Sequence, residues 1–159
     1  MTQDPVDISL QRAPLDSAAA VARVTCPEAG GIALFLGTTR AQNAPAKKAP
    51  AGGDPGPLLA LEYHAYEEMA QTQMRKLAGS AAARWPVIRI VIWHRLGEVK
   101  VGQPSVIVAV SCPHRGEAFD ACEFLIDELK KTAPIWKREI YERATQWQGG
   151  GQSSVASGQ

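Results

Sequence analysis

Two apolar, β-branched runs, VIRIVIWHRLG (87–97) and SVIVAVSC (105–112), constrain the fold of this 159-residue chain more than any other feature. They are its two strongest strand signals, because branched side chains suit a pleated surface and lose rotamer freedom in a helix. Between them, EVKVGQP supplies turn chemistry around Gly102 and Pro104. The flanking segments alternate in period. VDISLQRAPL reads as a strand leading to Asp16 or Ser17 as a helix N-cap, and AAAVARVTC as a helix closed by Pro27. GGIALFLGTTR is a buried strand ending at Gly37, and LLALEYHAY a strand with Leu59, Leu61, Tyr63 and Ala65 on one face.

Two longer stretches carry helical spacing. EEMAQTQMRKLAGSAAARW places Met69, Ala70, Met74, Leu77, Ala78 and Ala81 on a stripe that stops before Pro86. GEAFDACEFLIDELKKTAP is the clearest amphipathic helix, with Phe119, Cys122, Leu125, Ile126 and Leu129 on its stripe and Pro134 at its end. IWKREIYE returns as a strand. The order, roughly β-α-β-β-α-β-β-α-β, predicts a single mixed α+β domain over residues 1–148. The Ala/Pro/Gly-rich segment 41–57 is expected to be a mobile loop, and 149–159 a flexible tail.

Charge excludes whole classes of partner. Seventeen basic residues against sixteen acidic ones leave a net charge of +1, so no global field favours nucleic acid or a membrane surface. Any anion site must be local. Three cysteines without a CxxC spacing read as reduced, buried thiols, which suits a cytoplasmic protein. No metal and no cofactor is expected, because His64, His94 and His114 do not stand at ligand spacing from cysteines or carboxylates. The N-terminus lacks a secretory pattern, and no apolar stretch approaches the about 20 residues of a membrane span.

The candidate chemistry is cationic. In LKKTAPIWKRE, Lys130 follows Ile126 by four positions and so lies about 40° from the buried stripe, its stem packed and its ammonium at a boundary. Pro134 then turns the chain, Trp136 offers an apolar wall, and Lys137 is placed to face back towards Lys130. Two converging lysines would depress one another's pKa unless an anion separates them. The plainer alternative is a solvated charge run, with Asp127 and Lys131 as a helix pair. In SCPHRGEAF, His114 and Arg115 precede a helix start whose N–H groups suit a phosphate or carboxylate, unless His114 merely caps the helix. In FLGTTR, Gly37 ends a strand, Thr38 and Thr39 offer donors, and Arg40 opens the loop; a plain strand-end turn explains the same residues. His94 and Arg95 are read as structural. No nucleophile elbow or activated thiolate is present in the sequence, so the residues alone predict an anion pocket of Arg40, His114, Arg115, Lys130 and Lys137.

The same segments, FLGTTR, LEYHAYEEMA, HRLGEVKVG, HRGEAF and LKKTAPIWKRE, in this order, resemble the large, catalytic subunit of molybdopterin synthase, the MoaE family, from about Gly30 to about Trp147. The resemblance implies an α/β hammerhead fold and a homodimer at the centre of a heterotetramer. It implies a small ubiquitin-like partner whose C-terminal Gly-Gly tail carries a thiocarboxylate. It further implies sulfur transfer to cyclic pyranopterin monophosphate, giving the dithiolene of molybdopterin. By matching position, Lys130 and Lys137 correspond to the family's active-site lysines. Thr38, Thr39, Arg40, His114, Arg115, Arg138 and Glu139, with both lysines, correspond to substrate-binding positions. The loop 41–57 is longer than the family pattern, and His64 and Glu68 stand where other residues are commoner. The competing expectation is a non-catalytic anion-binding or assembly subunit of the same fold.

Overall fold

The two apolar runs become the inner strands of one sheet. The computed structural model describes residues 3–41, 55–143 and 145–148. Most of the predicted mobile loop (42–54) and the predicted tail (149–159) lie outside the described residues. The first sheet runs β1 (Val6–Gln11), β4 (Arg89–Arg95), β6 (Pro104–Cys112), β2 (Gly31–Thr38). β1 is parallel to β4, and the other pairs are antiparallel.

Helices cover both faces of this sheet, which is why its central strands need no polar alternation. α1 (Ser17–Val24) lays Ala20 and Val24 on Val91, Ile107 and Ala109. α2 (Glu67–Arg84) and α3 (Arg115–Thr132) cover the opposite face, where Met74, Leu77, Leu125 and Leu129 meet Ile90, Ile92, Val106, Val108 and Val110. Asp16 caps α1 as expected, its Oδ1 accepting from the Ala19 amide at 3.1 Å.

The second sheet is fully antiparallel: β5 (Gly97–Lys100), β3 (Leu58–Ala65), β7 (Ile135–Tyr141), β8 (Thr145–Gln148). β5 and β8 are additions to the predicted strands. Both are short, and each exists through its pairing rather than its own pattern: β5 with β3, distant in sequence, and β8 with β7 just before it. β5 follows β4 after only Leu96, and Gly97 at φ 81° supplies the left-handed residue that swings the chain from one sheet into the other. The expected turn sits between β5 and β6, with Gly102 at φ 85°.

Three apolar residues differ from their predicted places. Met69 and Phe119 are 62% and 63% exposed. Each adjoins an alanine, Ala70 after Met69 and Ala118 before Phe119, that occupies the core position instead, and one residue is about 100° of helix. The buried stripes are complete without them: Ala70, Met74, Leu77, Ala78, Ala81 on α2, and Ala118, Ala121, Cys122, Leu125, Ile126, Leu129 on α3. Leu59 is exposed because the register shifts between Leu58 and Ala60, so alternation on β3 begins after it. The overall architecture is the expected mixed α+β arrangement.

Candidate functional site

Strand alternation sorts β7 into two faces. Lys137, Glu139 and Tyr141 share one; Trp136, Arg138 and Ile140 share the other. Lys137 is half-buried, and its pKa is lowered first by desolvation and then by the charge of Lys130, with Glu139 opposing and Arg40 adding to the depression. The two lysines and Arg40 therefore share one electrostatic neighbourhood. Lys130 reaches it from the last turn of α3, where the helix dipole favours cations. Arg40 reaches it from the end of β2, where Thr39 pins the chain. The Thr39 amide donates to Gln103 O at 3.1 Å, its carbonyl accepts from the Gly102 amide at 2.8 Å, and its buried hydroxyl donates to Val99 O at 3.4 Å. Thr39 is thus a strut beneath Arg40, while Thr38 is exposed.

Glu139 lies two residues along the same face and is 1% exposed. The Tyr141 hydroxyl donates to its Oε2 at 2.6 Å. Burial first, and then this bond and the charge of Glu139, push the Tyr141 phenol up to about 12.

Arg138 and Trp136 face the other way. The Arg138 guanidinium donates to Glu62 Oε2 at 2.8 Å, and His64 Nε2 lies 2.6 Å from Glu62 Oε1. The Arg138 bond, with His64 assisting and burial opposing, holds the Glu62 carboxyl below its usual value. Trp136 stacks with His64 at 6.3 Å and touches Tyr66 at 4.8 Å. It therefore walls the outer face of β7, not the lysine face predicted from sequence. A two-residue period was the signal, since Trp136 and Lys137 are neighbours and strand neighbours diverge. Lys131 likewise pairs with Glu128 at 3.4 Å, not with Asp127.

His114 and Arg115 do not join the lysines within one protomer. They open α3, and the fifteen residues from Arg115 to Lys130 span about 22 Å of helix. Their end of α3 lies against the start of β2: a Cβ on Gly31 would come 2.8 Å from Arg115 Cα, and one on Gly30 would come 2.0 Å from Pro113 O. His114 stands at the N-cap position but makes no side-chain capping bond. The predicted pocket is thus divided, with Lys130, Lys137 and Arg40 at one end of the molecule and His114 and Arg115 at the other.

The sequence reads His94 as structural, and the fold encloses it. It is 7% exposed at the end of β4, where the two sheets meet. Its Nδ1 donates to Arg95 O at 2.8 Å, and its ring meets Tyr63 edge-on at 4.9 Å and 69°. Desolvation, with the charges of Lys130 and Lys137 adding to it against the Arg95 bond, lowers its pKa to about 4. The two buried thiols are passive: burial raises Cys112 and takes Cys122 up to about 11. Among the described residues no cluster of three or more His, Cys, Asp or Glu could hold a metal, and no helix is long and apolar enough to cross a membrane.

A family model described as "MoaE protein" matches residues 10–132. The molybdopterin synthase catalytic subunit of Pyrococcus abyssi is 39% identical over 147 residues, 92% of this chain and 88% of that protein. The crystal structure of molybdopterin synthase from Staphylococcus aureus superposes with a TM-score of 0.78 at 28% identity, covering 93% of this chain and 99% of that one. A chain in the complex of subunits 1 and 2 of molybdopterin-converting factor from Helicobacter pylori has the same fold, with a TM-score of 0.63 at 22% identity, covering 91% of this chain and 90% of that one. With a family model spanning most of its length and a relative matched nearly end to end, the chain belongs to the MoaE family of molybdopterin synthase catalytic subunits.

Proposed function

We propose that this protein is a sulfurtransferase, the large subunit that moves sulfur from the thiocarboxylated C-terminus of a small ubiquitin-like partner to cyclic pyranopterin monophosphate. The observation that carries this reading is the meeting of Lys130, Arg40 and a half-buried Lys137 whose ammonium is destabilised by its surroundings. With three cations against the single carboxylate of Glu139, such a site gains from binding an anion. Both proposed reactants are anionic, a cyclic phosphate and a thiocarboxylate, and fixed cations in a partly dry site neutralise them without reorganisation. Lys130 serves the thiocarboxylate, stabilising the developing oxyanion or acting as general acid. Lys137 orients substrate and shares that electrostatic work, and Lys suits both tasks because its pKa moves readily on burial. The sulfur arrives on the partner, so passive cysteines accord with the reaction.

Arg40, His114 and Arg115 hold the pterin phosphate, and His114 and Arg115 come from a second copy of the chain. β2 is an outer strand; among the described residues its far edge pairs with no other strand. Ile32, Leu34 and Leu36 are 39%, 40% and 41% exposed on the face that α1 leaves open. An edge of this kind is a template for pairing. Antiparallel pairing of two β2 strands about a two-fold axis sets the Gly31 end of one beside the Thr38 end of the other. The seven steps of β2 cover about 23 Å, which matches the about 22 Å of α3 that separates the two half-sites. A homodimer of this kind, flanked by two small subunits, makes up the proposed heterotetramer.

The test combines the protein with thiocarboxylated small subunit and the cyclic phosphate, and measures molybdopterin. Lys130→Ala is expected to abolish product while leaving thermal unfolding and small-subunit binding unchanged. Product at the unsubstituted rate refutes the catalytic reading and favours an assembly role.

A further inference from the structure

We propose that His94 is a positioning residue for Lys137, its Nε2 lone pair accepting a hydrogen bond from the Lys137 ammonium. Three geometric facts carry this. The Nδ1–H is committed to Arg95 O at 2.8 Å, which leaves Nε2 as the acceptor of a neutral ring. The ring is held edge-on against Tyr63, which stands directly opposite Lys137 in the β3–β7 ladder. Residues opposite one another in a ladder send their side chains to the same face, so Tyr63 delivers the imidazole to the face that carries Lys137. Tyr63 is largely buried beside Ser105, whose Oγ donates to Gly37 O at 3.3 Å, three residues before Arg40. His94 is therefore clamped from β3, β4 and β6 at the floor of the cationic site.

The electrostatics agree. Lys137 is faced by Lys130 from α3, Arg40 from the end of β2, Glu139 on its own strand, and His94 and Tyr63 from β4 and β3. Glu139 already accepts from Tyr141. A protonated imidazole would add a third charge beside the two lysines, whereas the neutral ring adds an acceptor without adding charge. A four-carbon stem gives a lysine many rotamers, and one fixed acceptor selects among them. Arg95, next in sequence, is occupied elsewhere: its guanidinium donates to Gln103 Oε1 at 3.1 Å.

This inference rests on the reading of Lys137 as an active-site lysine, and amide variants separate the two ideas. His94→Asn keeps a donor near Nδ1 for the Arg95 carbonyl but removes the Nε2 acceptor. His94→Gln does the reverse. In the tetramer with its small subunit, His94→Asn is expected to lower kcat for molybdopterin formation by roughly 10–100-fold, as loss of a supporting partner does around other sites. His94→Gln is expected to stay close to the unsubstituted rate. Heteronuclear NMR of the lysine side chains gives a readout besides turnover. Loss of an acceptor disfavours the ammonium, so the Lys137 titration moves to lower pH in His94→Asn and not in His94→Gln. The opposite ranking, with Asn normal and Gln impaired in both measurements, makes His94 a backbone clamp and overturns the proposal. If both variants fail to fold, the imidazole nitrogen shifts of the unsubstituted protein are compared with those of Lys137→Met; an unmoved Nε2 resonance overturns it equally. Full activity of Lys137→Ala would instead sink the role of Lys137, while the NMR result would still decide the contact.

Discussion

Mixing two variants expected to be inactive tests the proposed shared site directly. Lys130→Ala removes the lysine half of each site, and His114→Ala/Arg115→Ala removes the half that lies about 22 Å away along α3. In a two-fold dimer built on β2, each site takes one half from each copy. A mixed dimer then carries both lesions in one site and none in the other. Random exchange of equal amounts makes half of the dimers mixed, so about a quarter of all sites are intact. The assay unfolds and refolds the variants together, adds thiocarboxylated small subunit and the cyclic phosphate, and measures molybdopterin against each variant refolded alone. Recovery of about a quarter of the unsubstituted activity is expected. Recovery indistinguishable from the separate variants would refute the shared site, because a site contained in one copy loses an essential half in every dimer of the mixture.

Other outcomes follow from particular contacts. His94 titrates from 6.5 to about 4 on folding, so the folded state binds fewer protons between those values and stability falls as pH drops through them. Between about pH 7 and pH 5 the loss from this group is about 2 kcal/mol, and urea midpoints of His94→Gln should lack that share of the pH dependence. Lys137→Met should abolish turnover yet raise stability by about 1 kcal/mol, since it replaces a desolvated cation with an apolar chain; a lower melting temperature would contradict the electrostatic reading. Gly31→Ala forces a Cβ to within 2.8 Å of Arg115 Cα and should cost about 1–3 kcal/mol, seen in denaturant unfolding, with α3 displaced at its start. Asp16→Ala removes the cap of α1, which packs on the sheet face opposite α3, and should cost about 1 kcal/mol with turnover unchanged.

Local pattern was enough for what repeats locally. The branched runs of β4 and β6, the stripes of α2 and α3 and the Asp16 cap all follow from periods and propensities within a dozen residues. The grouping of Lys130 with Lys137 was legible in the same way, since both lie within eight residues on either side of Pro134. Several features were not. Nothing in GEVK distinguishes β5 from a turn; β3 makes it a strand. His94 looks like any strand-end histidine until two sheets close over it. Trp136 turned out to face away from Lys137, because on a strand adjacency in sequence is separation in space.

The proposed anion pocket shows the division most plainly. The sequence by itself determined its ingredients: a near-neutral chain with Arg40, His114, Arg115, Lys130 and Lys137 set at the ends of regular elements. Only the tertiary structure decided that these cations form two clusters rather than one, at opposite ends of the same helix and of the same exposed strand. The reason is rigidity: a helix holds its two ends a fixed distance apart whatever charges they carry, so residues it separates can share a ligand only through another chain.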